Sequence, residues 1–243
     1  MFCVDVYIFL FIVLIASILQ TSTGFGFSIL ATPFLLLLFA PFEAIQINLF
    51  LSLCISLALI VKIRKDVDYD ILKRLVIGSV FGLPVGIMIF LYLNLNHLKL
   101  GVGVMILLLT VLLILQMRIK QNQRKDLVVG GLSGMFTTSI GMPGPPLLLY
   151  FSGTDTKKEQ LRATTLAFYL WIYLVSFIMQ LSIVGTSKTV WTSILWGLPL
   201  VCIGLYLGQR LFYKMNQAVF QIIVYIILLF TGIYTLVESL GVL

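Results

Sequence analysis

Two stretches of this chain put hydroxyl side chains, glycines and prolines where the flanking sequence is apolar: Thr21-Ser-Thr-Gly-Phe-Gly-Phe-Ser and Thr137-Thr-Ser-Ile-Gly-Met-Pro-Gly-Pro-Pro. A helix that begins inside such a break presents unpaired backbone N–H groups and about half a positive charge. Half-helices starting near Gly24 and near Met142, aimed at one another, would make a site for a small oxyanion. Ser22, Thr23, Ser28, Thr137, Thr138 and Ser139 are expected to add hydroxyl donors. Gly24, Gly26, Gly141 and Gly144 would let the backbone approach the ligand, Pro143 belongs to the same turn, and Pro145 and Pro146 suit a first helical turn. Placing Glu43 opposite Glu159 sets Gln46 against Arg162 and Asn48 against Thr164. Asn48, Arg162 and Thr164 therefore join the expected binding set, and the Arg162 guanidinium matches sulfonate, sulfite or carboxylate oxygens in bidentate fashion. The competing reading of Arg162 is an interfacial arginine that reaches the cytoplasmic headgroups. Glu43 and Glu159, at helix starts, read more readily as dipole-complementing caps than as coupling groups.

The elements that must position these residues are membrane helices. Of 243 residues 60% are hydrophobic and 10% charged, against roughly 25% charged in a soluble domain, and mean hydropathy is +1.13. Crossing a hydrocarbon core of about 30 Å takes roughly 20 apolar residues. Segments 44–61, 71–93, 98–117, 161–184, 190–211 and 217–237 are long enough. Four shorter pieces, 4–20, 24–39, 126–138 and 142–151, pair around the two breaks. Unwound backbone survives in a membrane only where it lines a cavity, and matched breaks in two halves point to a transporter's binding site. The first segment carries Asp5 and no basic start, so it reads as a mature segment rather than a signal peptide.

The basic residues choose the topology, because Lys and Arg collect in cytoplasmic loops. If each short pair is a hairpin returning to its own side, all sixteen Lys and Arg except Lys99 and Lys188 face inward. If 126–151 crosses once instead, Lys157, Lys158, Arg162, Arg210 and Lys214 also move outside. The hairpin arrangement gives each half five elements with an odd number of side changes, so the second half is inverted. The expected fold is thus all-α and polytopic, two inverted repeats each of a broken-helix hairpin plus three transmembrane helices. Its units are residues 1–117, a basic cytoplasmic linker 118–125, and residues 126–243, with both termini outside a cell membrane. Gly82-Leu-Pro84 against Gly197-Leu-Pro199, and Pro33 against Pro146, are internal matches consistent with this division.

Other chemistries find little support. An enzyme would need a nucleophile with its base, paired acids or a metal cluster at membrane depth. The only histidine, His97, lies in a short outer loop, and Cys3, Cys54 and Cys202 suggest neither disulfides nor a metal site. No cofactor is expected. The net charge of +7 concerns orientation in the bilayer, with no hydrophilic stretch long enough to engage nucleic acid. Gly78, Gly82 and Gly86, Gly130 with Gly134, and Gly204 with Gly208 recur every four residues, the spacing of close helix packing.

Thr23-Gly-Phe-Gly-Phe-Ser-Ile-Leu-Ala-Thr-Pro-Phe-Leu with Glu43-Ala-Ile-Gln-Ile-Asn48, and Gly130-Gly-Leu-Ser-Gly with Gly141-Met-Pro-Gly-Pro-Pro and Gln160-Leu-Arg-Ala-Thr164, resemble the sulfite exporter TauE/SafE family, also called TSUP or DUF81. The resemblance spans essentially the whole chain in two copies. It implies transport of small anions such as sulfite, sulfoacetate and other organosulfur or carboxylate compounds. The expected function is alternating-access transport of such an anion; an anion channel, or a membrane partner subunit without transport activity, is the alternative. The expected partners are the small anion and the lipid bilayer, with homo-oligomerisation left open.

Overall fold

In the computed structural model the described residues are 3–92, 121–152, 154, 156–214 and single positions at 104, 219, 222, 226, 229, 230, 233 and 237. They form α1 (Cys3–Thr23), α2 (Phe27–Leu38), α3 (Pro41–Ile63), a 3-10 turn (Arg64–Asp66), α4 (Tyr69–Tyr92), α5 (Gln123–Ile140), α6 (Gly144–Ser152), α7 (Lys158–Val184) and α8 (Lys188–Lys214). No strand occurs among them. Five of these helices, α1, α3, α4, α7 and α8, are long and apolar enough to cross a membrane. The expected crossings 98–117 and 217–237 lie outside the described residues apart from the single positions. Asn122 caps α5 by accepting a hydrogen bond from the Arg124 N–H, so Arg124 and Lys125, read as linker, belong to its first turn.

Both expected hairpins form, each with a long first arm and a short second one. The first arm ends at Thr23 because Gly24 (φ 86) and Gly26 (φ 127) take left-handed backbone that ordinary residues avoid. The second ends at Gly141 (φ 76), where the N–H groups of Gly141 and Met142 fold back on the Thr137 and Phe136 carbonyls at 2.8 and 3.1 Å. At 21 residues α1 is about 32 Å long, whereas the 12 residues of α2 span about 18 Å. The first hairpin therefore pairs a helix of full crossing length with a half-length return.

Contacts between helices fix their relative directions. Along the α4–α5 seam, Gly78 faces Leu127 and Gly131, and Gly86 faces Met135 and Thr138, so the two helices run parallel. Along α1–α8, Gly204 faces Ser17 and Gly208 faces Ile18 and Thr21, again parallel. The central pair runs antiparallel. Gln46 near the start of α3 donates to the Gly185 carbonyl just past α7 (2.7 Å), and the Asp68 N–H beyond α3 donates to Thr164 near the start of α7 (3.0 Å). Helices at equivalent places in the two halves, α1 and α5, α3 and α7, α4 and α8, thus point in opposite directions, as an inverted arrangement demands.

The same logic locks the starts of α4 and α8. Asp68 caps α4, accepting from the N–H groups of Asp70 and Ile71, and its other carboxylate oxygen accepts from Gln160 of α7. Ser187 caps α8, accepting from the Val190 N–H, and donates to Glu43 of α3 at 2.6 Å. Each cap satisfies orphan donors of its own helix while being held by the opposite half. Glu43 is therefore bound to a cap, as expected of a residue at a helix start, whereas Glu159 is half exposed beside Lys158.

Polar side chains are gathered inside beside the apolar core, and large apolar ones face outward. Gln20, Gln46, Asn48, Ser52, Thr165 and Gln180 are fully buried, while Phe81, Tyr92 and Trp196 are 75%, 83% and 66% exposed. A protein surrounded by lipid has this distribution, since apolar surface there costs nothing and polar groups must find partners inside.

The glycine seams give a direct test. A Cβ at Gly82 would overlap the Gly131 carbonyl, while one at Gly131 meets the Gly78 oxygen at an ordinary 3.4 Å. Gly82→Ala is expected to destabilise by about 1–3 kcal/mol through overpacking, with Gly131→Ala close to neutral, read as thermal unfolding in detergent. Equal melting temperatures for the two variants would contradict the seam.

Candidate functional site

Each hairpin turn rests on the third helix of the other half. A Cβ at Gly24 would sit 2.9 Å from the Arg162 Cα, so only glycine allows the first turn to lie against the early part of α7. The second turn lies on α3, where the Asn48 side-chain N–H donates to the Gly141 carbonyl at 2.7 Å. Asn48 and Arg162 are thus brought to a turn, each to that of the opposite hairpin. The two short helices also meet. A Cβ at Gly144, the first residue of α6, would lie 2.8 Å from Ile29 Cδ1 in the first turn of α2, and 3.1 Å from the Tyr169 hydroxyl oxygen.

The hydroxyls expected to face a ligand mostly do not. Ser22 and Thr23 donate to the Leu19 carbonyl at 3.1 and 2.7 Å, and Thr23 also bonds the Phe25 carbonyl. Thr137 donates to Ser133 (2.5 Å), Thr138 to Leu83 (2.8 Å) and Ser139 to Met135 (2.7 Å). A hydroxyl has one hydrogen, and here it goes to a backbone carbonyl near the helix end. These side chains terminate α1 and α5 and leave only lone pairs for anything else. Ser28 differs: it accepts from Tyr173 at 3.3 Å and keeps its own hydrogen. Gly26 is the N-cap residue of α2, and the chain passes through Pro143 into α6. Thr164, also buried, accepts from the Asp68 N–H at 3.0 Å.

Arg162 does not reach the headgroups. It is 2% exposed, its Nη2 donates to Gln209 at 2.7 Å, and its guanidinium lies 4.1 Å over the Phe212 ring. Its Nε has no partner. The arginine ties the first turn to the end of α8 and keeps one donor unused.

What the sequence reading missed is a polar stripe. Arg162, Thr165, Tyr169, Tyr173, Ser176 and Gln180 recur every three or four residues along α7, all buried. Asn48, Ser52 and Ser56 do the same on α3. Several of their atoms lack a hydrogen-bond partner: Thr165 Oγ1, Tyr169 Oη, Ser176 Oγ, Gln180 Oε1, Asn48 Oδ1 and Ser52 Oγ. Buried polar groups are normally paired, so this concentration on two facing helices marks an interior built to meet something polar. The helical period was there to be read in both segments. Asp126 was also overlooked: fully buried at the start of α5, it accepts from Arg74 Nε (2.6 Å) and from the Tyr150 hydroxyl, joining α4, α5 and α6. Among the described residues no group of His, Cys, Asp and Glu is placed to hold a metal.

Residues 9–235 match the family model described as sulfite exporter TauE/SafE. The chain belongs to the sulfite exporter TauE/SafE family. No curated protein and no solved structure matches it. Membership makes the chain a membrane protein of a transporter family, in accord with the five helices among the described residues that are long and apolar enough to cross a membrane. In this TauE/SafE protein the two motif-bearing breaks are the two hairpin turns.

Asn48 tests the anchoring of the second turn. Asn48→Ala removes one buried hydrogen bond to Gly141, worth about 1 kcal/mol. Asn48→Asp keeps the shape but turns the donor into an acceptor facing that carbonyl, and it is expected to unfold at a lower temperature than Asn48→Ala. The reverse order in a thermal-shift series would show that the amide bond does not hold the turn.

Proposed function

We propose that this protein is a secondary transporter of small anions, namely sulfite, organosulfonates or related carboxylates, working by alternating access with the anion held between the N-termini of α2 and α6. The observation that carries the reading is the contact of Gly144 with Ile29, which brings two helix starts together in a buried interior. N-terminal partial charges add where two such ends meet, and lipid-facing walls keep the local dielectric low. Gly26 and Ser28 stand at the start of α2 and Gly144 at the start of α6, with Gly24 and Gly141 in the preceding turns and Asn48 and Arg162 against those turns.

The repeat units are residues 1–117 and 126–243, joined by a cytoplasmic linker within 118–125. They sit in the cell membrane with both termini outside. Oppositely directed equivalent helices support this division, and the loop distribution of Lys and Arg supports the sidedness. The family, and motifs that offer no nucleophile with its base or paired acids, support a transporter over an enzyme.

Proteoliposome uptake of labelled sulfite, sulfonates and carboxylates tests the reading. Arg162→Ala and Gly141→Leu are each expected to raise KM roughly tenfold or more, equivalent to about 1.4 kcal/mol of binding. Unchanged KM in both variants would remove the site from this junction, and a linear, unsaturated anion current would make the protein a channel. A tag placed at 118–121, ahead of the Asn122 cap, is expected to be reached only from the cytoplasmic side; labelling of intact cells from outside would reverse the topology.

A further inference from the structure

The junction of α2 and α6 is missing donors on one side. A helix start normally offers its first backbone N–H groups, but Pro145 and Pro146 follow Gly144 directly and have none. The positive end of α6 is therefore poor in the hydrogens that would grip an anion. Tyr169 of α7 stands at that point. Its side chain is fully buried, its hydroxyl has no partner, and it lies 3.1 Å from where a Cβ on Gly144 would be. The neighbouring Tyr173, with ring centroids 5.0 Å apart, spends its hydroxyl on Ser28 at the start of α2. The two phenols thus address the two helix starts, one engaged and one unengaged.

Resting on the transport reading above, we propose that Tyr169 is a ligand-binding residue of this site, its hydroxyl donating to an oxygen of the bound oxyanion in place of the N–H groups that Pro145 and Pro146 remove. A buried phenol left without a partner is unfavourable, and an acceptor oxygen delivered by the ligand removes that penalty. A neutral donor adds no charge to the site, so the helix ends still set its preference for anions while the hydroxyl selects ligands that present an acceptor oxygen beside Gly144. Sites built to hydrogen-bond a ligand discriminate strongly against analogues that cannot answer the bond. Ile29 and the Tyr173 ring close the apolar side of the same spot, which favours a small, compact oxyanion over a bulky one.

Tyr169→Phe deletes the hydroxyl alone. The unaltered chain, Tyr169→Phe and Tyr173→Phe, purified in nanodiscs, are titrated with sulfite, methanesulfonate and acetate while the melting temperature is followed, since a ligand that binds only the folded state raises it. Without anion, Tyr169→Phe is expected to melt at or above the temperature of the unaltered chain. With anion, it is expected to bind at least tenfold more weakly, with Tyr173→Phe affected less. Equal anion-induced shifts in the unaltered chain and Tyr169→Phe would overturn the role of Tyr169 and leave the transport reading standing. No shift for the unaltered chain with any of the three anions would overturn both, whereas anion binding improved by the loss of the hydroxyl would overturn the role of Tyr169 alone.

Discussion

Backbone polar groups that leave a helix inside a bilayer must be satisfied by protein, and the whole interior of this molecule is arranged around two places where that happens. At Gly24 and at Gly141 the chain stops being helical, turns, and begins again within a few residues. Each turn bonds back to its own first arm and is then held from the other half. The first lies against Arg162 of α7, the second against Asn48 of α3, and the caps of α4 and α8 are likewise held from the opposite half. The two halves therefore interlock at both turns and at the caps of α4 and α8, which explains why hairpins too irregular to stand in lipid alone can be tolerated.

This reciprocity is not perfect symmetry. Asn48 reaches the second turn with a neutral amide, whereas Arg162 underlies the first with its backbone and stem and sends its charge toward Gln209 and Phe212. The start of α2 keeps all its N–H groups after Gly26, while α6 gives up two to prolines. Two duplicated elements have thus acquired different donor sets. A site read by one face of each element can in this way distinguish the two ends of an unsymmetrical ligand, which a site with exact twofold equivalence cannot do.

Much of the fold was legible because membrane helices are set by length and apolarity. Segments 44–61, 71–93, 161–184 and 190–211 became α3, α4, α7 and α8 with ends displaced by only a few residues, and glycine spacing foretold the α4–α5 and α1–α8 seams. The turns were legible from Gly24, Gly26 and Gly141, where positive φ leaves little choice of residue. Hydroxyl roles were not. Whether Thr137 or Ser139 points at a ligand or at the carbonyl one turn back depends on rotamers that composition does not encode, and a Ser or Thr near a helix end usually finds that carbonyl first. Alignment sets Thr164 against Asn48, and its hydroxyl accepts from the Asp68 N–H, a partner that alignment of the two halves does not reveal. The polar period on α7 went unnoticed because tyrosines count as aromatic in an apolar segment, although Tyr169 and Tyr173 carry the stripe between Thr165 and Ser176.

The distribution of satisfied and unsatisfied groups also separates what is fixed from what can change. The glycine seams bring α4 against α5 and α1 against α8 at backbone contact, and Asp126 ties α4 and α5 to α6 through two bonds. Sliding either seam would drive carbonyls into Cα atoms, so each pair moves as a body if it moves at all. Most of the unpartnered oxygens, by contrast, lie along α3 and α7, the antiparallel helices at the centre, with Gln20 and Thr21 of α1, Thr32 of α2 and Ser133 of α5 carrying others. Between the hydrogen bonds at their ends, groups such as Ser52 Oγ, Ser176 Oγ and Gln180 Oε1 have no partner to lose when these helices shift. Under the transport reading, the conformational change belongs at the face between these stripes and the hairpins. The rigid seams then carry that change to the two membrane surfaces.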